Sequence, residues 1–294
     1  MLNRAAITFS LGLVLAACGA SGVTPSTTRV TLIRARPERA SYTTKYVQLV
    51  IFENESYSDI IGNPKAPYIN GLANTWANMT NSHAVSHPSE PNYLALFSGS
   101  THGVSGDPCP LIFKTESLGS ELVEAGLSFT GYAESMPRDG FQGCQAHPDH
   151  LASGYLYMRK HVPWTDFTKV PKTDSLVYRG PLTVPPSRLV WITPNMCNDM
   201  HDCSIATGDT WASKNLPALI SWDAANDGVL ILTFDENDGS AGNQITTILA
   251  GNVNPGQYNQ NIDHYNVLRT VENIFDVRAL GNSRSVAPIA GVIK

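Results

Sequence analysis

Four short apolar runs without proline set what this chain can fold into: Tyr46–Phe52 (YVQLVIF), residues 129–133 (FTGYA), Leu189–Thr193 (LVWIT) and residues 229–234 (VLILTF). Their length and β-branched content read as strands buried on both faces. Residues 245–249 (ITTIL) supply a fifth candidate. Helical segments alternate with them at residues 67–77, 91–98, 118–125, 210–225 and 264–276. In the last, Val267, Leu268, Val271, Ile274 and Phe275 share one face. Strands alternating with helices predict an α/β sandwich around a largely parallel sheet. Residues 160–186, which contain proline and lysine and lack a clear period, read as an insertion loop over one face.

The chemistry lies just past the strand ends. YVQLVIF runs into Glu53-Asn54, VLILTF into Asp235-Glu236-Asn237-Asp238, and LVWIT into Asn195 and Asn198-Asp199-Met200-His201-Asp202. In open parallel sheets, ligands bind outside the carboxyl ends of the strands. Three clusters of acids, amides and a histidine therefore converge there, and oxygen ligands with imidazole suit a divalent cation. The formal net charge of −5 argues against a partner held by phosphate neutralisation, so nucleic acid is excluded as a partner.

The N-terminus reads as a targeting segment. Arg4 precedes an apolar stretch too short to span a bilayer, and Leu15-Ala16-Ala17-Cys18 resembles a bacterial lipoprotein signal cut before the cysteine. The expected division is a signal peptide over residues 1–17, a Gly/Ser/Thr-rich tether over 18–40 and one catalytic domain over 41–294. The mature chain is expected to sit in the cell envelope, lipid-anchored to a membrane through Cys18. Four further cysteines remain, and an even count in an exported chain predicts two disulfides. Cys197 and Cys203 bracket a short segment and are expected to pair, which leaves Cys109 with Cys144.

One further segment, HPSEPNYLALFSG at residues 87–99, places Ser89 just before a helix expected to begin near Pro91. Ser89 reads as a helix cap, or as a hydroxyl nucleophile aimed by the helix N-terminus at an anion beside a cation. The two roles are compatible.

Taken in order, FENESY, HPSEPNYLALFSG, CNDMHDC, TFDEND and DHYNVLRTVE resemble the bacterial phosphoesterase family that includes acid phosphatases and phospholipases C, related to the alkaline phosphatase superfamily. The resemblance spans residues 46–276. It implies a three-layer αβα sandwich of alkaline-phosphatase type and metal-assisted phosphoryl transfer through a phosphoserine. On this chain it implies Ser89 as nucleophile and Glu53, Asn54, Asp235 and Glu236 as metal ligands. Asn92 is implied as a phosphate-binding amide and His161, in MRKHVPW, as a substrate-site residue. Asp199, His201 and His264 fall where related two-metal enzymes hold a second ion. Glu236 stands where the wider superfamily has a histidine, which directs His201 and His264 toward phosphate oxygens or the leaving group. His87 and Glu134 are expected to support the site locally. His83, His102, His147 and His150 read as surface or structural, Asp202 and Asp238 as turn residues, and Trp191, Trp211 and Trp222 as core.

The expected activity is phosphomonoester hydrolysis. A phospholipase C uses the same core on a diester, and a non-catalytic phosphate- or metal-binding lipoprotein is a rival of another class, against which the presence of Ser89 argues. The anchor has its own test. Cys18→Ser is expected to abolish lipid labelling of the chain, and a parent chain that takes up no label would leave only an export signal.

Overall fold

The computed structural model describes residues 42–240 and 242–294; the expected signal, tether and Cys18 lie outside the described residues. The strands are β1 (Tyr46–Phe52), β2 (Ala77–His83), β3 (Phe129–Glu134), β4 (Gln145–Pro148), β5 (Tyr155–Met158), β6 (Ser175–Tyr178), β7 (Leu189–Thr193), β8 (Gly228–Phe234), β9 (Gln244–Gly251) and β10 (Gly256–Tyr258). Eight of them form one sheet in the order β10-β2-β9-β8-β1-β7-β3-β6. β6, β3, β7, β1 and β8 are mutually parallel, and β9 runs antiparallel between β8 and β2. β4 and β5 form a separate antiparallel hairpin.

Alternation along each strand makes the sheet two-sided. In β1, Val47, Leu49 and Ile51 join one core, while Val50 and Phe52 join the other. Over the first lie α3 (Ser89–Ser98), α4 (Leu118–Glu124) and α7 (His264–Ile274). Over the second lie α1 (Tyr57–Ile60), α2 (Pro67–Thr75), α5 (Ile205–Asn215) and α6 (Pro217–Ala225). The result is the three-layer sandwich expected from the pattern.

The departures have local causes. The single helix expected over 210–225 is two, because Pro217 cannot continue α5 and instead opens α6. The 160–186 segment is not a bare loop: it buries Trp164 and Phe167 and adds β6 as the sheet's edge strand. Trp164 reaches the sheet because Gly131 has no side chain; a Cβ there would lie 2.2 Å from the indole. Trp191 and Trp211 are core, whereas Trp222 is half-buried with its ring edge-on to Tyr46. β2 (ANMTNSH) escaped the hydropathy pattern because its pairing, not its composition, makes it a strand.

Asp223 of α6 is buried against the backbone of Gly228 and Gly251, where any Cβ would collide with it. The amide of Gln48 donates to both of its carboxyl oxygens. Burial pushes its carboxyl up to about 8. Between the ordinary aspartate value near 4 and this raised one, the unfolded chain has released a proton that the folded chain keeps, so stability falls as pH rises through that window. Asp223→Asn removes this slope. Its melting temperature, relative to the parent, is expected to be higher near pH 8 than near pH 5; an unchanged difference would show that Asp223 titrates normally.

Candidate active site

β1, β7 and β8 are adjacent and parallel, so the residues just past them meet at one edge of the sheet. Glu53 follows β1, Asp235 and Glu236 follow β8, and the loop after β7 carries Asp199 and His201. Backbone bonds tie the three ends together. Glu53 N–H donates to the Asp199 carbonyl at 2.8 Å, and Asp235 N–H to the Phe52 carbonyl at 3.0 Å. Asn54 has a positive φ of 56°, a conformation asparagine tolerates, and its backbone N–H donates to Asp235 Oδ1 at 3.2 Å.

α3 delivers Ser89 to this cluster. The helix starts at Ser89 itself, with Pro88 as its cap and no side-chain capping bond; this corrects the expectation that Ser89 caps a helix beginning at Pro91. Ser89 Oγ lies 3.0 Å from Glu53 Oε2 and 3.3 Å from Glu236 Oε1 and donates toward these carboxylates. One turn on, Tyr93 OH donates to Glu53 Oε1, and its ring stacks on His161 at 5.0 Å. All ten residues of α3 are buried, which fixes the serine against both the sheet and its neighbours.

His161 is buried in the middle of the cluster. Its Nδ1 lies 3.3 Å from Asp199 Oδ2 and its Nε2 3.1 Å from Glu53 Oε1, close but out of hydrogen-bond alignment. One ligand atom each of Glu53, His161 and His201 lie within 4.8 Å of one another. His161 therefore also stands among the metal-ligand candidates, beyond the substrate-site role that the resemblance implies for it. His201 Nδ1 contacts Asp202 Oδ1 at 2.8 Å, and Asp202 in turn accepts from the Ser153 hydroxyl and N–H. Asp202 thus orients an imidazole instead of merely filling a turn.

Two other expectations change. Asn92 Oδ1 accepts from the N–H groups of Val85 and Ser86, and its amide nitrogen donates to the Ser86 and Pro88 carbonyls. With its donors so committed, it clamps the turn before Ser89 and is not a phosphate-binding amide. His264 is buried at the start of α7, its Nε2 2.6 Å from the Asp235 carbonyl. That ties it to the backbone of the Asp235 loop, while its Nδ1 is buried without a hydrogen-bond partner among the described residues. His87, by contrast, is part-exposed with Nδ1 against Glu236 Oε2. Glu134 Oε2 accepts from Asn195 N–H at 3.0 Å and Asn198 Nδ2 at 2.9 Å, bracing the loop after β7.

The electrostatics follow from burial. Burial, then the charges of Asp235 and Asp199, hold the Glu53 carboxyl well above the usual range. Asp199 is raised chiefly by burial as well. Burial, then Glu236, pushes Asp235 up to about 7, and burial pushes Glu236 to about 7. His161 is held well below its ordinary value by burial and then by Lys160. For Lys160, burial works against the charged form, but Glu53 and Asp107 outweigh it and raise the pKa. Asp199 Oδ2, Asp235 Oδ2 and His161 Nε2 are buried without a hydrogen-bond partner among the described residues, and Glu236 Oε2 meets the His87 imidazole. Unpaired acceptors of this kind, massed in one spot, fit a bound cation, which would reverse the carboxylate shifts.

Lys160, Tyr93 and Asp107 were not singled out by sequence reasoning. Tyr93 had a signal, since it lies four residues after Ser89 on the same helix face. Lys160 precedes His161 in a segment with no period to mark its direction.

Both expected disulfides are present, Cys109–Cys144 and Cys197–Cys203. The profile of the Phosphoesterase family matches residues 59–278. A phosphatidylinositol-3-phosphatase of Mycobacterium tuberculosis is 44% identical over 253 residues, covering 84% of this chain and 82% of that protein. A probable acid phosphatase of Kluyveromyces lactis is 30% identical over 286 residues, 91% of this chain and 66% of the relative. Among solved structures, a protein of the alkaline phosphatase superfamily from Vibrio parahaemolyticus superposes with a TM-score of 0.52 at 11% identity, over 85% of this chain and 71% of that one. A lipoteichoic acid synthase of Listeria monocytogenes gives 0.53 at 11% identity, over 80% and 72%. These two share the fold.

The Cys197–Cys203 bond closes a loop with a sequence separation of 6 around Asp199 and His201. Such a short loop adds little to stability through chain entropy but fixes two site residues. Replacing both cysteines with alanine is expected to lower kcat far more than melting temperature. A large loss of stability with kcat retained in the folded fraction would contradict this.

Proposed function

The chain belongs to the phosphoesterase family and is a phosphoric ester hydrolase, and on that premise we propose that it hydrolyses phosphomonoesters through Ser89 as a covalent nucleophile. The observation that carries this is the Ser89 hydroxyl, buried at the first residue of α3 and hydrogen-bonded to Glu53 and Glu236. Ser89 Oγ attacks phosphorus in line. The bond from phosphorus to the ester oxygen breaks, and the serine proton passes to one of the two carboxylates that already face it. The departing alkoxide takes its proton from a water in the cleft that His201 borders. The hydroxide so formed attacks the phosphoserine and releases phosphate, and the protonated carboxylate returns its proton to Ser89. The N-terminal end of α3 adds positive potential where charge gathers on the phosphoryl oxygens.

Glu53, Asp199, His161, Asp235 and Glu236 would hold a divalent ion, with His201 within reach. When bound, that ion supplies Lewis acidity and lowers the pKa of the attacking hydroxyl. Asn54 contributes through the backbone bond that fixes Asp235.

The substrate reading favours a monoester over the lipid diester of a phospholipase C. It is supported by relatives named as a phosphatidylinositol-3-phosphatase and acid phosphatases. We also propose that the chain is exported and anchored through Cys18, which agrees with two disulfides in its described part.

Ser89→Ala keeps the helix and the carboxylates and removes only the nucleophile. It is expected to cost roughly 10³-fold or more in turnover of 4-nitrophenyl phosphate, as other nucleophile deletions do, with little change in melting temperature. Exhaustive chelation is expected to stop turnover in the parent, and a divalent ion to restore it. Parental turnover in Ser89→Ala, or after chelation with no metal found by elemental analysis, would refute the mechanism.

A further inference from the structure

Lys160 stands at the mouth of the site and has no part in the mechanism above. Its side chain is only 11% exposed. Its Nζ lies 3.1 Å from Asp107 Oδ2 and 3.2 Å from His201 Nε2. Asp107 is fixed in turn, because its Oδ1 accepts the N–H of Glu90, the residue after Ser89. The ammonium is thus aimed from two sides, one of them the nucleophile's own helix. An ammonium carries three donors. Two are committed, and the third has no protein partner among the described residues. The Lys160 charge reaches Glu53, Asp199 and Glu236.

The neighbouring cation cannot do the same work. Arg159 is buried and donates to Asp166 Oδ1 and to the carbonyls of Gln142, Leu111 and Thr165. Lys160 also lines a cleft of about 440 Å³, together with His201, the Cys109–Cys144 disulfide and Met158 of β5. Asp107, which also lines the cleft, holds the N–H of Glu90 next to Ser89, so a phosphate ester whose alcohol portion lay there would have its phosphoryl group between Lys160 and the start of α3.

The charge of the substrate makes this position decisive. A phosphomonoester dianion spreads two charges over three terminal oxygens; a diester has one charge on two. Glu53, Asp199, Asp235 and Glu236 together outweigh the charge of one divalent ion, so a second negative charge on the substrate is repelled unless a further fixed cation meets it. We propose that Lys160 is the specificity-determining residue for phosphomonoesters, giving its third N–H to the terminal oxygen that a diester carries as an ester. The assignment rests on the reading of Ser89 as the attacking group, because that reading places the phosphoryl group between the two side chains.

The test compares the parent with Lys160→Met, Lys160→Gln and Lys160→Arg, each checked for folding by circular dichroism and melting temperature. Two readouts are taken. Calorimetry measures binding of inorganic phosphate, which needs no turnover. Kinetics measure kcat/KM for 4-nitrophenyl phosphate and for bis(4-nitrophenyl) phosphate. In the neutral variants, phosphate affinity and monoester kcat/KM are expected to fall roughly 10- to 100-fold, the range for losing a hydrogen bond to a charged group. Diester kcat/KM is expected to fall much less. Lys160→Arg, which keeps the charge, is expected to recover part of the monoester loss. Unchanged phosphate affinity in folded neutral variants would overturn the proposal, and so would an equal loss on both esters. Phosphate binding that depends on Lys160, with parental turnover retained in Ser89→Ala, would overturn the nucleophile and leave the Lys160 contact standing.

Discussion

Everything in the site depends on one arrangement: four carboxylates, Glu53, Asp199, Asp235 and Glu236, buried together at the ends of three adjacent strands. Burial disfavours the charged form of each carboxyl, and neighbouring acids add to it, so all four are raised. The chain offers only partial compensation. Tyr93 and Ser89 donate to Glu53, Asn54 N–H to Asp235, and Lys160 supplies one positive charge at the edge. The acceptors left over are the strongest physical argument that a divalent cation completes the site.

The fold is built to sustain that cost. Five parallel strands, β6, β3, β7, β1 and β8, carry a buried core on both faces, so the strand ends are held from both sides. α3 is buried all round, unlike a surface helix with one apolar stripe. Residues distant in the chain are then locked by direct bonds: Glu134 to the loop after β7, Asp202 to Ser153, and Asp107 to both Glu90 and Lys160. A nucleophile held on such a helix is oriented before substrate arrives, the condition under which positioning contributes most to rate.

Much of this was legible in the chain. β1 and β7 fall where their apolar runs place them, and the acids after β1, β7 and β8 do converge. Those signals are local, since a strand's composition and the residue after it are read from a few positions. The features that escaped were non-local. The family resemblance implies Asn92 as a phosphate-binding amide, yet its amide is consumed by the preceding turn. His264 opens a helix near the site but points its Nε2 at a backbone carbonyl. Lys160 and His161 sit on a short 3₁₀ turn after β5, whose direction no periodicity reveals. The ordered motifs made the family recognisable where the pattern alone did not assign roles.

The central claim is that Ser89 carries the phosphoryl group during turnover. The most direct measurement is acid quenching of the parent enzyme during steady-state hydrolysis of a phosphomonoester, followed by peptide mass spectrometry across residues 85–98. Ser89 is expected to carry a phosphate, absent from unreacted protein and formed again when the enzyme is incubated with inorganic phosphate at low pH. Phosphate found on His161 or His201 during active turnover, with Ser89 unmodified, would contradict it.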